Sequence, residues 1–204
     1  MVLKEINQTI QGLAVHSIPE ERIIQLQGFI DYMRYKVALG ELINLNFICT
    51  HNSRRSHLAQ IWAQTMAVNF NIKQLLCFSG GTEATALYPA IKATLERQGF
   101  EFEIKKAGKN PHYQIVFSDD EPAIIAFSKK YDALFNPSSN FAAIMTCSHA
   151  DENCPLIPGA EKRILMQYED PKKYDNSAQE TKMYAACSLQ IAAEMYFVFS
   201  SINK

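Results

Sequence analysis

Apolar and polar positions along the chain fall into two alternating periods. Leu42, Ile43, Leu45, Phe47 and Ile48 form a short apolar run of strand character that ends at Cys49. The polar stretch Thr50-His-Asn-Ser-Arg-Arg-Ser56 separates it from Leu58, Ile61, Trp62 and Met66, which recur at helical spacing. The pattern predicts strand, loop and helix, with a cysteine where the strand ends. A second apolar run, Gln74-Leu-Leu-Cys-Phe78, gives way to Ser79-Gly-Gly-Thr82 and predicts a parallel strand buried beside the first. Pro89 to Arg97 reads as a helix, with Pro near its first turn and Gly99 just past its end. Phe102, Ile104, Tyr113, Ile115 and Phe117 alternate on either side of Ala107-Gly-Lys-Asn-Pro111, which predicts a β-hairpin over 100–118. Asp119-Asp-Glu-Pro122 reads as a helix entry that opens a short helix from Ala123 to Tyr131. Phe141 to Thr146 is a third predicted strand, ending in Cys147, and Ile164 to Tyr168 a fourth, followed by Glu169-Asp-Pro171. Met183, Cys187, Ile191, Met195 and Val198 form the stripe of a final helix over about 177–200.

The first 40 residues read as helical and distinct from this α/β pattern. Ser17-Ile-Pro-Glu-Glu21 is a helix start, and Ile23, Ile24, Leu26, Ile30, Met33 and Val37 continue an apolar face until Gly40. The expected organisation is an N-terminal helical extension, residues 1–40, and an α/β domain, residues 41–204. Alternating strands and helices predict a three-layer α/β/α fold with a central parallel four-stranded sheet and a β-hairpin insertion. In such sheets ligand groups gather at the carboxyl ends of the strands. Cys49, Cys147 and Asp170 all follow strand ends, so they are expected to converge.

Composition narrows the partners. A chain of 204 residues with 48% hydrophobic and 20% charged content is ordinary for a globular protein. A net charge of -1 gives no argument for nucleic acid or an acidic membrane surface, so any anion site must be local. No apolar run reaches bilayer-spanning length and the N-terminus lacks a signal-peptide pattern, which predicts a cytoplasmic protein. Five cysteines are too sparse for a disulfide scaffold; in a reducing compartment they serve as core residues, metal ligands or redox groups. Cys77 and Cys187 fall within apolar stripes and read as core.

The loop after the first strand carries the chemistry. Its backbone N–H groups converge at a helix start, where the macrodipole also favours negative charge, so the loop is suited to a tetrahedral oxyanion. Arg55 supplies a planar fork for that anion, and Ser56 can cap the helix and hydrogen-bond a thiolate. Cys49 lies at the bottom of the cradle, where the same amides and arginine favour its thiolate form and make it a nucleophile. Asp170, before a proline on the same rim, reads as a general acid or else as a turn residue. Cys147 and Cys154, with His149 or Asp151, would be a zinc site on a rival reading; no second closely spaced ligand pair accompanies them, and no metal is expected. The paired acids Asp119 and Asp120 read as a solvated helix N-terminus rather than a metal site.

These residues match a known pattern. Cys49-Thr-His-Asn-Ser-Arg-Arg-Ser56 resembles the phosphate loop of the low-molecular-weight protein tyrosine phosphatase superfamily. Ser79-Gly-Gly-Thr-Glu83 is similar to that superfamily's Ser-Ala-Gly-Thr-Glu segment, and Asp170-Pro171 to its general acid. More narrowly, Met145-Thr-Cys-Ser-His-Ala-Asp-Glu-Asn-Cys-Pro155 resembles the redox segment of the thioredoxin-coupled arsenate reductases, including the spacing of its two cysteines. The resemblance covers about residues 42–204. It implies that Thr50, His51, Asn52, Ser53, Arg54, Arg55 and Ser56 bind the oxyanion, that Cys49 attacks arsenate, and that Asp170 protonates the leaving oxygen. It further implies a Cys49–Cys147 disulfide, then a Cys147–Cys154 disulfide handed to thioredoxin, with no bound cofactor. His51 stands where the family has Gly, Arg54 where it commonly has a second cysteine, and Lys172 and Lys173 where its tyrosine phosphatases carry Tyr. The alternatives are a phosphatase using Cys49, Arg55 and Asp170 alone, and a noncatalytic anion-binding module.

Overall fold

The computed structural model describes residues 1–153 and 156–202. Four strands, β1 (Ile43–Cys49), β2 (Leu75–Gly81), β6 (Phe141–Met145) and β7 (Ala160–Leu165), form a parallel sheet in the order β2-β1-β6-β7. β1 is central and buried along nearly its whole length, and its one fully buried polar side chain, Asn46, donates to the Tyr131 carbonyl at 3.0 Å. The layers are α/β/α. On one face lie α2 (Glu20–Leu39), α3 (Arg55–Asn69) and α6 (Glu180–Ser200), packed over Ile43, Leu45, Phe47, Ala142 and Ile144. On the other lie α5 (Ser148–Asn153) and the stretches around Tyr131 and Ile157, which cover Ile48, Ala143 and Met145. The remaining helices are α1 (Lys4–Gln11) and α4 (Pro89–Arg97). Ile6 and Ile10 of α1 and Leu26, Phe29 and Met33 of α2 enter the same core as α3 and α6.

The hairpin appears as β3 (Glu101–Lys106) and β4 (His112–Val116), but it is joined by β5 (Ile124–Ala126) into a second, antiparallel sheet. The helix expected over 123–131 is therefore not formed. Ile124 pairs with Ile115 and Ala126 with Tyr113, which buries Ile124 and Ala126 on one face and turns Ile125 to the other. That period of two is satisfied only by an extended chain. The fourth parallel strand begins earlier than expected and ends at Leu165. Its first half is a polar edge, with Glu161 and Lys162 exposed, and so carries no apolar signal. Met166 and Tyr168 still donate to the carbonyls of Met145 and Thr146, which extends the pairing toward the predicted end. The buried face of α2 is also rotated. Ile24 and Val37 are exposed, while Lys36 is buried between Glu41 and Glu161 at 2.5 and 2.9 Å.

Two glycines let other segments approach the end of β2. A Cβ on Gly80 would lie 2.3 Å from the Tyr131 Cα, and one on Gly81 2.6 Å from the Thr50 carbonyl oxygen. Beneath them sit two buried basic groups. His57, on the first turn of α3, is fully buried; burial and the nearby Lys129 push it down to about 3. Lys129 is 4% exposed and burial pushes it down to about 7; its ammonium lies 4.6 Å from the Phe127 ring centroid and 5.2 Å from that of Phe135.

Two outcomes follow from these contacts. Gly80→Ala forces the Tyr131 backbone away and should cost about 3 kcal/mol in urea unfolding; a cost below about 0.5 kcal/mol would refute the close approach. His57 and Lys129 each bind fewer protons folded than unfolded, so stability rises with pH, across about 3 to 6.5 for His57 and about 7 to 10.5 for Lys129. Lys129→Met should stabilise the protein at pH 7 by about 1–3 kcal/mol and flatten the upper rise. An unchanged upper profile in that variant would contradict the assignment.

Candidate active site

The loop from Thr50 to Arg54 joins β1 to α3, and its shape follows from where its carbonyls go. The Cys49 carbonyl accepts from Thr82 N–H, that of Thr50 from Glu83 N–H, and that of Ser53 from Tyr88 N–H. The His51 carbonyl accepts from the hydroxyls of Thr85 and Ser128, at 3.1 and 2.9 Å, and the Arg54 carbonyl from the N–H groups of His57 and Leu58. In a trans peptide the carbonyl and the following N–H point in opposite directions. Carbonyls turned outward therefore turn N–H groups inward, toward the centre of the loop and the start of α3, which is the arrangement that holds an anion.

Asn52 supplies the tight turn at φ 44, in the left-handed region that asparagine tolerates better than most residues. His51, which occupies the family's glycine position, has an ordinary φ, so the substitution imposes no left-handed strain. The Asn52 side chain is buried and ties the loop down: its amide donates to Ser56 Oγ at 2.8 Å and its oxygen accepts from Lys129 N–H at 2.9 Å. Ser56 does not cap the helix. Arg54 holds the cap position without a side-chain hydrogen bond, and Ser56 Oγ lies 3.1 Å from Cys49 Sγ. Because Ser56 Oγ already accepts from Asn52, its proton is free to point at the sulfur. Cys49 is 4% exposed at the end of β1.

Arg55 and Asp170 meet at the rim. Arg55 donates to Asp170 Oδ2 at 2.5 Å and to the Tyr168 carbonyl at 2.9 Å, and Asp170 Oδ1 accepts from Lys172 N–H at 3.0 Å. Arg54, by contrast, turns its side chain away from the loop centre. It lies over the Tyr88 ring at 4.1 Å and donates to Tyr184 Oη at 2.6 Å, to Asp175 at 2.5 Å and to Ser53 Oγ at 3.1 Å. Tyr184 also donates to Asp175 and stacks on Tyr88 at 5.6 Å. Beside this wall is a cleft of ≈ 410 Å³ lined by His51, Ser53, Arg54, Tyr88 and Lys172. A larger cavity, ≈ 760 Å³, lies behind Tyr168 under the N-terminal helices and includes none of the loop residues.

Cys147 is brought to the loop. It is 1% exposed, shares a small core with Cys49, Ile48 and Met145, and its Sγ lies 3.6 Å from Thr50 Oγ1 and accepts from Ala150 N–H at 3.4 Å. Thr50 Oγ1 is also 3.2 Å from His149 Nδ1. Cys154 lies outside the described residues. Cys77 and Cys187 stand apart: burial raises the Cys77 thiol and pushes Cys187, half-buried on α6, up to about 12. Among the described residues no three His, Cys, Asp or Glu side chains form a metal-binding group, and no helix is long and apolar enough to cross a membrane. Sequence reasoning missed Tyr88, Asp175, Tyr184, Ser128 and Lys129. Each reaches the loop from a distant segment, and no local spacing announces them.

No protein-family model matches the chain. An arsenate reductase of Bacillus licheniformis is 30% identical over 136 residues, 66% of this chain and 78% of that protein. One from Staphylococcus aureus (strain Newman) is 32% identical over 127 residues, 61% of this chain and 76% of its own length. The fold is shared with a solved structure described as an arsenate reductase in the phosphate binding state, at TM-score 0.51 and 19% identity over 78% of this chain and 98% of that one. It is shared too with a low-molecular-weight phosphotyrosine phosphatase from Vibrio cholerae O395, at TM-score 0.52 and 11% identity over 78% and 94% of the two chains. With the loop, the parallel sheet and these relatives together, the chain belongs to the low-molecular-weight protein tyrosine phosphatase superfamily, close to its arsenate reductases.

Proposed function

We propose that the chain is an arsenate reductase that draws its electrons from thioredoxin through Cys49, Cys147 and Cys154. The observation that supports this reading best is the proximity of Cys147 to the loop, buried beside Thr50 in the core that also holds Cys49. Hydrolysis by Cys49, Arg55 and Asp170 needs no second thiol there.

Arsenate sits among the inward N–H groups of residues 50–56, and Arg55 turns from Asp170 to clamp it. The exchange leaves Asp170 without its cation beside an incoming anion, the condition under which it holds and then delivers a proton to the departing oxygen. Cys49 Sγ, with Ser56 Oγ alongside, attacks arsenic and water leaves. Cys147 then attacks Cys49 Sγ: the S–S bond forms, the S–As bond breaks, its electron pair goes to arsenic, and arsenite departs as As(III). Cys154 attacks Cys147 and frees Cys49, and thioredoxin reduces the Cys147–Cys154 disulfide. Three free thiols and a reduced carrier require a reducing compartment, so the cytoplasm is the proposed location.

A second reading, phosphomonoester hydrolysis by Cys49, Arg55 and Asp170, is favoured by the cleft beside Tyr88, which offers room for a leaving group larger than arsenate carries. Arsenate-dependent NADPH consumption with thioredoxin and its reductase separates the two. Cys147→Ser and Cys154→Ser should each stop steady-state arsenate turnover while hydrolysis of an aryl phosphate survives. Unchanged turnover in both variants overturns the relay, and aryl phosphate turnover with no arsenate-dependent NADPH consumption selects the phosphatase.

A further inference from the structure

Arg54 belongs to two parts of the site. Its backbone holds the cap position of α3, inside the anion loop, while its side chain reaches the far end of the turn that carries Asp170. That turn is a single stretch of 3-10 helix, Pro171–Tyr174, with Asp170 at its N-terminal end and Asp175 at its C-terminal end. The Asp175 carboxylate accepts from Arg54 at 2.5 Å through one oxygen and from the Tyr184 hydroxyl through the other, and Tyr184 Oη accepts from Arg54 Nε at 2.6 Å. The next residue is held as well. Asn176 N–H donates to Glu180 Oε2 at 2.8 Å, the oxygen that also accepts from Tyr88 Oη at 3.0 Å. The clasp is largely shielded from water, with the Arg54 and Asp175 side chains 11% and 17% exposed, and charge-assisted bonds so placed impose a definite geometry.

We propose that Arg54 is a positioning residue for the acid step: by clasping Asp175 it fixes the turn that carries Asp170 at a set distance from the anion loop. The inference rests on Asp170 being the acid, which both readings above share, and not on the thiol relay. The Asp170 carboxylate is held at two points, by Arg55 at 2.5 Å and by Lys172 N–H at 3.0 Å. In the mechanism above the first is given up to the anion. The second belongs to the turn itself, so the place of the carboxyl then becomes the place of the turn. Asp175 closes that turn, its N–H donating to the Lys172 carbonyl at 3.0 Å, and its side chain is what Arg54 and Tyr184 grip.

The step served is the departure of the leaving oxygen. Cys49 Sγ bonds to phosphorus or arsenic as the bond to that oxygen breaks; the electron pair stays with the oxygen, which takes the proton of Asp170 and leaves as an alcohol or, from arsenate, as water. Nothing is oxidised or reduced in this step. Proton transfer needs a separation of about 2.6–3.2 Å, so a displaced turn slows it, and slows it most for a poor leaving group. The charge of Arg54 works the other way. A cation near Asp170 favours the ionised carboxylate and opposes the proton it must carry, so what Arg54 contributes to this step is geometry.

The test is kcat/KM across pH for two esters hydrolysed by the full chain without thioredoxin: phenyl phosphate, whose leaving oxygen needs a proton, and 2,4-dinitrophenyl phosphate, whose leaving oxygen does not. Asp170→Asn sets the scale and should slow the phenyl ester about a hundredfold or more, the dinitrophenyl ester far less. Arg54→Met and Asp175→Asn should each slow the phenyl ester about tenfold and keep the dinitrophenyl ester within about threefold, so that the second ester monitors loop and fold. Tyr184→Phe, which changes no charge, should show the same preference in smaller measure. Arg54→Met extending phenyl ester hydrolysis to higher pH without slowing it would mean that Arg54 acts through its charge, and the proposal fails. It fails too if the three variants slow both esters equally, or slow neither. If Asp170→Asn itself shows no preference between the esters, or the wild-type chain releases neither phenol, the acid assignment fails and this inference with it, while the relay still stands or falls on arsenate-dependent NADPH consumption.

Discussion

A loop can hold an anion with its N–H groups only if its carbonyls are satisfied elsewhere, and the site depends on that constraint. A buried carbonyl without a partner costs about 1–3 kcal/mol, so five outward carbonyls with no donors would favour another loop conformation. Here the donors come from the segment after β2, from Tyr88 ahead of α4, from Ser128 after β5, and from the first turn of α3. The antiparallel sheet, remote from the chemistry, is thereby part of it: β5 leads the chain to Ser128 and Lys129, which hold His51 and Asn52. Gly80 and Gly81 have no side chain because these segments come within reach of the β2 end.

This division explains what the sequence made legible. The unit of strand, cysteine, loop and helix is encoded locally, in an apolar run, a polar break and helical spacing, and it stands as read from 43 to 69. β1, β2 and β6 were equally readable from their apolar residues, whereas the polar first half of the edge strand β7 concealed where it starts. β5 was not. Asp119 to Pro122 carry true helix-entry chemistry, and only pairing with β4 overrides it. His51 stands where the family has glycine, but the positive φ of the loop is at Asn52, because the family comparison fixes which residue replaces glycine and not which residue takes the positive φ. Buried groups such as His57 and Lys129 are illegible for the same reason: depth is a property of the assembled core.

Arg54 shows a substitution that changes a role without disturbing the frame. Its guanidinium is engaged by Tyr88, Tyr184, Asp175 and Ser53, so it braces the cleft wall against α6. Burial disfavours its charge, and the partners outweigh that, keeping it raised. The wall is thus a fixed surface at the mouth of the loop. Lys172, by contrast, extends from the Asp170 turn with its backbone pinned to Asp170 Oδ1.

Under the proposed relay, the same residue bears on the direction of electron flow. A cysteine at position 54 would stand within the loop as a competing partner for Cys49, and arginine removes that competitor. Cys77 is shut in β2 and Cys187 is pushed up to about 12, far from the thiolate needed for exchange near neutral pH. Among the described thiols other than Cys49, Cys147 alone is both close to the loop and within hydrogen-bond reach of groups that can stabilise a thiolate, Ala150 N–H and the Thr50 hydroxyl. Under the proposed relay, an adduct formed on Cys49 has one thiol among the described residues positioned to resolve it. Specificity for that thiol comes less from Cys147 itself than from the burial and substitution of its rivals.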